Sequence, residues 1–339
     1  MSSSRSHSRR SHAADPALPT LRPPAGASIV GSAGNAALRR AILAAAESRA
    51  LRRFVQRHGM RFGARRFVAG ETLDEAVPVL RRLNERGLFT NTTLLGEGVR
   101  DESETRAVVA AYIEVLDRIE REGLKTNVAL KLTHLGLVFH EELAYANVAQ
   151  LVEHAASRRN FIRIDMEESR YVDATLRIYR RLREAGHASV GAVLQAYLYR
   201  SEADLEALLE LQPNLRLVKG AYLEPPDVAY PQKADVDAAY VRLLERSLRD
   251  AAFTAVATHD ERLIGHTIAF AHREKIGSER FQFQMLYGVR PRLQLELARR
   301  GYSVLVATPY GPDWYRYLMR RLAERPANLL FFLRALAAR

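Results

Sequence analysis

The sequence predicts an α/β fold, a (β/α)8 barrel of the TIM type that follows an N-terminal helical arm. Three observations predict this fold. Short apolar stretches occur eight times along the chain, each is followed by a longer stretch with helical spacing, and together they occupy about 250 residues, the usual size of such a barrel. Several of the short stretches, including 193–196 and 304–307, are apolar on both faces, which is typical of parallel strands. No Gly-x-Gly-x-x-Gly follows any of them, which argues against an open doubly wound sheet.

The elements follow one another in regular alternation. The predicted strands are residues 88–95, 127–135, 161–165, 189–197, 215–221, 253–259, 281–286 and 302–307. The predicted helices between and after them are residues 101–122, 144–157, 172–185, 203–211, 236–251, 261–274, 291–300 and 313–335. The apolar residues of the helical stretches recur at intervals of three and four, so each helix is expected to turn one face toward the strands.

Three regions are predicted along the chain. Residues 1–28 are rich in Ser, Arg and Pro and are predicted to be a disordered tail, because they contain too little apolar surface to fold. Residues 29–80 are predicted to form a helical arm, in which Leu51, Phe54 and Val55 recur at helical spacing. Residues 81–339 are predicted to form the catalytic barrel together with its C-terminal helix.

The charge of the chain is concentrated in the arm and the tail. The net charge is +12, but residues 1–66 hold thirteen arginines against only Asp15 and Glu47, and the remainder is nearly balanced. A nucleic-acid-binding face would place that charge on the folded domain, so no nucleic-acid partner is predicted. The chain has no cysteine, which excludes disulfides and cysteine nucleophiles. No metal-ligand spacing and no membrane-spanning apolar run occur, so neither a metal nor a transmembrane helix is predicted.

Polar residues stand late in the predicted strands, where the chemistry of a (β/α)8 barrel takes place. Only five lysines occur in the chain, yet Lys131 and Lys219 lie in apolar strands, where an unpaired charge is costly. For any one such residue, a structural ion pair is an equally good interpretation. The set as a whole predicts a site at the carboxyl ends of the strands: Lys131, Asp165, Gln195, Arg216, Lys219, Thr258, His259 and Gln284.

The last predicted helix carries a second group of functional candidates. Tyr317, Arg320 and Arg321 are spaced so that they can share one helix face. Two guanidinium groups beside an aromatic ring suit a small carboxylate, which arginine binds with paired hydrogen bonds. A solvated basic face is the alternative interpretation of the same pattern.

An ordered set of motifs resembles the proline dehydrogenases, in their single-function bacterial form. The motifs are RRFVAGE at 65–71, LKLT at 130–133, IDME at 164–167, QAY at 195–197, RLVKGAY at 216–222, ATHD at 257–260, FQMLYG at 283–288 and RRLAE at 320–324. The resemblance covers roughly residues 36–339. It implies a TIM-type barrel that binds FAD and oxidises L-proline to Δ1-pyrroline-5-carboxylate.

The resemblance also implies a role for each candidate residue. Lys131, Arg320 and Arg321 would bind the substrate carboxylate beside Tyr317, while Asp165 and Arg216 would be the catalytic pair, Asp165 ordering the cations and Arg216 lying near flavin N5. The cofactor-binding residues would be Met166, Gln195, Arg216, Lys219, Gly220, Ala221, Thr258, His259 and Glu324.

Two positions depart from the family pattern. Ala307 stands where the family usually has a tyrosine at the end of the eighth strand, and Thr93 stands where it usually has an aspartate. A missing ring leaves space beside the substrate, so a substituted proline or another cyclic amino acid is a second candidate substrate.

The sequence is also compatible with other functions. A Schiff-base lyase or aldolase that uses Lys131 or Lys219 is one alternative, because a desolvated strand lysine suits that chemistry. A catalytically altered homologue that still binds flavin is another. The expected partners are L-proline and an electron acceptor, a membrane quinone. The expected location is the cytoplasm, with peripheral contact at the inner face of the membrane. The oligomeric state is left open by the sequence.

Overall fold

The computed structural model describes residues 63–96 and 99–324, together with single residues at 48, 53, 55, 57, 59 and 60. Within the last helix, the side chains of residues 320 and 322–324 are not described. The predicted tail of residues 1–28, most of the predicted arm before residue 63 and the predicted helix beyond residue 324 therefore lie outside the described residues.

Eight parallel strands close into a barrel in chain order, so the predicted fold class is confirmed. The strands are β1 Phe89–Leu94, β2 Thr126–Leu130, β3 Ile162–Ile164, β4 Val190–Gln195, β5 Asn214–Val218, β6 Phe253–Ala257, β7 Phe281–Leu286 and β8 Val304–Tyr310. The first strand pairs with the last over its whole length, from Phe89 opposite Leu305 to Leu94 opposite Tyr310. That ladder joins six residue pairs, against two to four in each of the others.

Nine helices of the described chain surround or extend the barrel. They are α1 Leu73–Glu85, α2 Glu102–Arg121, α3 Glu141–Ser157, α4 Val172–Glu184, α5 Ser201–Leu209, α6 Lys233–Asp250, α7 Glu261–Arg273, α8 Pro291–Arg299 and α9 Trp314–Glu324. Side-chain caps set several of their starts: Thr72, Asp101 and Asp260 accept from backbone N–H groups in the first turns of α1, α2 and α7. Helix α1 continues past residue 80, where the arm was predicted to end, and it packs on β1.

Several strand ends differ from their predicted positions, among them those of β2 and β8. The apolar run 127–135 is a strand only as far as Leu130, after which Leu132–Leu135 form a short 3-10 helix. Apolar composition cannot separate these two conformations, because both halves are buried. Strand β8 continues beyond residue 307 through Pro309 to Tyr310, and the Pro309 carbonyl accepts from Ala69 N at 2.8 Å. In the described part of the chain, no helix combines the length and the apolar character that crossing a bilayer requires.

The main core lies between the barrel and its helices, while α9 belongs to a smaller cluster. Trp314, Leu318 and Met319 of α9 pack on Phe67 and Val68, which precede α1. The indole Nε1 of Trp314 also donates to Glu71 Oε1 at 2.7 Å. The helix that carries Tyr317 and Arg321 is therefore anchored by residues 67–71, which precede α1.

Candidate active site

A buried arginine lies at the centre of the barrel and links its own strand to three others. Arg216 of β5 donates through Nη1 to Asp165 Oδ1 at 2.7 Å and through Nε to Gln284 Oε1 at 2.7 Å. Its Nη2 lies 3.5 Å from Asn91 Oδ1. These residues come from β1, β5, β7 and the end of β3, and alternate strands supply each layer of a barrel interior. Burial lowers the pKa of the Arg216 guanidinium, and the Asp165 carboxylate acts in the opposite direction.

A second buried arginine lies one layer nearer the amino ends of the strands. Arg163 of β3 donates to the carbonyls of Ala192 and Asn214 at 2.9 and 2.7 Å and also to Asn214 Oδ1, all of them neutral acceptors. A Cβ at Gly191 would lie 2.4 Å from Arg163 Nη1, so glycine provides the space for this guanidinium. Burial lowers the pKa of Arg163 to about 9. Of these two buried arginines, only Arg216 pairs with a carboxylate of the residues that the structure describes.

A small pocket opens at the carboxyl ends of β1 and β2. Lys131, which follows β2, lines it together with Thr93 of β1 and Tyr317 of α9. Tyr112 of α2 and His134 complete part of its wall, and their rings meet edge to face at 6.5 Å between centroids. The free space is about 10 Å³, close to the volume of one water molecule. Two of the residues predicted to bind substrate, Lys131 and Tyr317, therefore share one pocket.

Helix α9 brings a third substrate candidate next to that pocket. Arg321 places its guanidinium carbon 5.3 Å from the centre of the Tyr317 ring. The alternative of a freely solvated basic face does not describe these two residues, because both are only partly exposed and the Tyr317 hydroxyl is buried. Arg320 and Glu324 lie in the same helix, but their side chains fall outside the described residues.

The residues predicted to bind the cofactor line the ends of β3 to β6. Met166 is buried against Val193 and Tyr197, and Gln195 Nε2 donates to the Glu167 carbonyl at 2.8 Å. Thr258 is buried after β6, where its hydroxyl accepts from Asp260 N at 3.1 Å.

Lys219 and Gly220 give the end of β5 its shape. Lys219 Nζ donates to Asp237 Oδ1 at 2.6 Å and lies 3.5 Å from Asp260 Oδ2. Gly220 has a φ of 113°, and a Cβ there would lie 2.1 Å from the Tyr197 ring. Only glycine suits this position, because the Tyr197 ring occupies the place that a side chain would take.

His259 is held in one orientation by its neighbours. Its Nε2 accepts from Leu286 N at 2.9 Å, so Nδ1 carries the proton of the neutral ring. Its carbonyl accepts from Arg290 Nη1 at 2.9 Å, and Arg290 also pairs with Glu261. The imidazole is therefore positioned beside the ends of β6 and β7.

Glu167 is a site residue whose role the sequence did not reveal. The pair Glu167–Glu168 has the pattern of negative charge at a helix N-terminus, but Glu167 is buried, and its two carboxylate oxygens accept from Thr133 N at 3.1 Å and Thr133 Oγ1 at 2.7 Å. Burial raises its pKa, and Lys131 counteracts that rise. Glu167 thereby ties the segment that carries Lys131 to the segment that carries Asp165. The sequence likewise did not identify Asn91, which contacts Arg216, or Tyr112, which lines the pocket of Lys131, because neither residue belongs to a motif.

The arrangement disfavours the lyase alternative for Lys219. A Schiff base requires a lysine amine that faces a carbonyl substrate. Lys219 instead directs its nitrogen at two carboxylates, those of Asp237 and Asp260. Lys131 lies in the pocket next to Tyr317, the position expected of a group that binds a substrate carboxylate.

Comparison with known proteins identifies relatives along most of the chain. The family model described as proline dehydrogenase matches residues 76–334. Proline dehydrogenase 1 of Bacillus subtilis (strain 168) is 41% identical over 299 residues, which are 88% of this chain and 99% of that protein. The proline dehydrogenase of Deinococcus radiodurans is 43% identical over 277 residues, which are 80% of this chain and 89% of that protein.

Solved structures show a similar barrel within larger proteins. The crystal structure of proline utilization A from Bdellovibrio bacteriovorus, inactivated by N-propargylglycine, superposes with a TM-score of 0.73 at 25% identity. The match covers 80% of this chain and 33% of that protein, so this chain corresponds to about a third of that longer polypeptide.

Proposed function

Because the chain belongs to the proline dehydrogenase family and is an oxidoreductase that acts on proline, we propose that it binds FAD and oxidises L-proline to Δ1-pyrroline-5-carboxylate. The observation that carries this proposal is the position of the Arg216–Asp165 pair and the Lys131–Tyr317 pocket at the same end of one barrel. The first would serve the cofactor and the second the substrate.

The ends of β3 to β6 fit a flavin. Gly220 has no side chain of its own and its backbone is partly exposed, and the cations of Arg216 and Lys219 precede it in the sequence. Arg216 and Lys219 would stabilise negative charge on a reduced ring, while Gln195, Met166 and the backbone of Gly220 and Ala221 would line it. Thr258, His259 and Glu324 would hold the dinucleotide portion. The flavin supplies the hydride acceptor.

The residues of this chain would bind and orient the amino acid. Lys131, Arg320 and Arg321 would bind its carboxylate, and Tyr317 would contact its ring. A fixed carboxylate orients the carbon next to nitrogen for hydride transfer, which lowers the entropic part of the barrier. Asp165 would hold the Arg216 guanidinium in place through their 2.7 Å hydrogen bond.

The electrons would pass to a membrane quinone, with the protein in the cytoplasm and in peripheral contact with the inner face of the membrane. Two exposed apolar side chains support this part of the proposal. Tyr199 and Leu223 are 43% and 63% exposed and lie on the loops after β4 and β5, beside the proposed flavin site. Exposed apolar residues near a redox site suit an apolar acceptor. Self-association is equally compatible with this surface, and sedimentation of the purified protein would measure it.

Anaerobic addition of L-proline to the purified protein tests the proposal. The protein should carry a flavin absorbance that bleaches on addition of L-proline. Arg321→Met should retain the flavin but lower kcat/KM, because a charge-assisted contact to the carboxylate is lost. The decrease should correspond to a loss of about 2–4 kcal/mol of transition-state stabilisation. Arg316→Met, in the same helix and exposed, is the matched control. A colourless protein, or a flavin that L-proline does not reduce, would contradict the proposal, and unchanged kinetics in Arg321→Met would remove that residue from the site.

A further inference from the structure

The amino-terminal mouth of the barrel, at the end opposite the proposed active site, contains a cavity of about 370 Å³. Phe89, Asn127, Phe161, Gln282 and Leu305 line it from β1, β2, β7, β8 and the start of β3. A volume of this size lies within the range of small-molecule sites, which begins near 300 Å³.

The rim of this mouth carries an excess of positive charge. Lys125, Arg158 and Arg159 line it, and Glu120 is its single acidic residue. Arg158 is already paired, with Asp117 at 2.9 Å and Glu120 at 3.2 Å. Among the described residues, no carboxylate lies within 4 Å of the charged groups of Lys125 or Arg159. Two cations at the rim are thus not balanced by local acids.

A third cation lies deeper in the barrel. Arg163 places its guanidinium carbon 4.9 Å from the centre of the Phe161 ring, and that ring lines the mouth. All three of its hydrogen-bond acceptors are neutral. A buried charge without a counter-charge is costly, and a bound anion nearby would reduce that cost.

The walls of the mouth are apolar and partly aromatic, while its floor carries amides. Phe89 is exposed to 43%, although it belongs to a strand, and Phe161 is partly exposed. The floor amides Asn127 and Gln282 accept from Asn91 Nδ2 at 2.5 Å and Gln284 Nε2 at 2.9 Å. A ligand that matches this lining has a flat apolar body and one negative group.

We infer that the amino-terminal mouth of the barrel is a second binding site, which takes a small aromatic carboxylate or a similar planar anion. The flat body lies between Phe89 and Phe161, and the anionic group faces Lys125 and Arg159. The site is separate from the substrate pocket, which lies at the opposite ends of β1 and β2.

Titration calorimetry with 1-naphthoate on the flavin-loaded full chain tests this inference. The double variant Lys125→Glu/Arg159→Glu should bind the probe about tenfold more weakly or worse, because two attractive charges become repulsive. The matched control is Arg86→Glu/Lys275→Glu, which makes the same change in net charge at exposed positions outside the mouth. Lys275 also shares the left-handed backbone of Arg159, with φ of 55° against 52°. The control should stay within about twofold of the parent.

Two further variants make the outcome unambiguous. Phe89→Ala should weaken 1-naphthoate binding without changing any charge, and Arg321→Met, in the proposed substrate site, should leave it unchanged. The neutral pair Lys125→Gln/Arg159→Gln replaces the charge-reversed variant if circular dichroism shows that the latter does not fold. The inference fails if the parent does not bind the probe, if the variants of the mouth bind it as the control does, or if Arg321→Met abolishes binding.

Discussion

Ala307 lies on the inner side of β8, where it pairs in register with Asn91 of β1 and Leu286 of β7. Neighbours in register point to the same face of a sheet, and Asn91 points at the central guanidinium of Arg216. The side chain of Ala307 therefore faces the barrel interior near the proposed active site. A methyl group here occupies far less of that interior than the tyrosine ring that the family usually places there.

We expect the parent enzyme to discriminate weakly between L-proline and 4-hydroxy-L-proline, within about 100-fold in kcat/KM, because a roomy apolar pocket rejects an added hydroxyl poorly. Ala307→Tyr should shift the ratio of kcat/KM for the two substrates toward L-proline. Ala307→Ser, which adds no ring, is the control and should leave the ratio nearly unchanged. A parent enzyme that already prefers L-proline by several orders of magnitude would show that another side chain fills this space.

The buried carboxyl group of Glu167 should make a contribution to stability that decreases as the pH rises. Burial raises its folded-state pKa above the ordinary value of 4.5, so the folded state binds this proton more tightly than the unfolded chain does. The associated stabilisation is fully present below pH 4.5 and is lost as the pH rises through the raised pKa. The free energy of unfolding of the parent, relative to that of Glu167→Gln, should therefore fall as the pH increases from about 4.5 toward neutrality. Urea unfolding at a series of pH values measures this difference, and a constant or rising difference would contradict the prediction.

Helix α9 is the element on which the proposed substrate site depends most. Trp314, at its first residue, is buried and hydrogen-bonded to Glu71, and a Cβ at Gly59 would lie 2.7 Å from the indole ring. The helix therefore sits on a surface formed by residues before α1. Its orientation in turn determines where Tyr317 and Arg321 lie.

Trp314→Ala should lower the free energy of unfolding by about 3–5 kcal/mol, because it leaves a cavity under the helix. The KM for L-proline should rise as well, since α9 carries Arg321. Trp314→Phe retains most of the apolar volume and loses the hydrogen bond to Glu71, so it should show a smaller effect on both quantities. Chemical denaturation and steady-state kinetics measure them. If Trp314→Ala were as stable as the parent and had an unchanged KM, the substrate site would not depend on the packing of this helix.

The sequence predicted strands and helices in the right order because alternation of apolar runs with helical spacing is a local property. The strand-end candidates Asp165, Gln195 and Arg216 were likewise predicted from their position alone, because each is a polar residue late in a predicted strand of the barrel. The sequence could not identify Asn91 as a partner of Arg216 or Glu167 as a partner of Thr133, since those contacts join residues that are far apart in the chain. It also could not divide the run 127–135 between β2 and a 3-10 helix, because both segments are buried.

At the scale of the whole molecule, the outer helices are linked by ion pairs along most of the ring. Arg177 and Arg181 of α4 pair with Glu141 and Glu142 of α3. Farther along, α6 pairs with α5 through Arg242 and with Glu274 after α7 through Arg249. Most of these side chains are exposed, so each pair should contribute only about 0–1 kcal/mol.

Arg200 is one of the arginines in this ring that pair with two carboxylates, and it gives a direct comparison with Arg177. It bridges Asp173 of α4 and Asp204 of α5 at 2.6 and 2.8 Å, whereas Arg177 has the single partner Glu141 and a side chain that is 60% exposed. Arg200→Gln should therefore lower the free energy of unfolding by about 1–2 kcal/mol, and Arg177→Gln by less than about 0.5 kcal/mol. Equal losses in urea unfolding would contradict this ranking. Both variants should keep the parent's kcat/KM, because neither residue belongs to the proposed site.

The long ladder between β1 and β8 has a consequence for how the protein is made. The strand that closes the sheet is the last one to leave the ribosome, and it pairs with the first one. Until then, the nascent chain exposes the open edges of β1 and β7, which are competent to pair with other chains. A pairing between residues more than 200 positions apart is also slow to form, by the cost of closing so large a loop. Truncation within β8 should therefore yield aggregates that require chaperones, and not a smaller soluble domain.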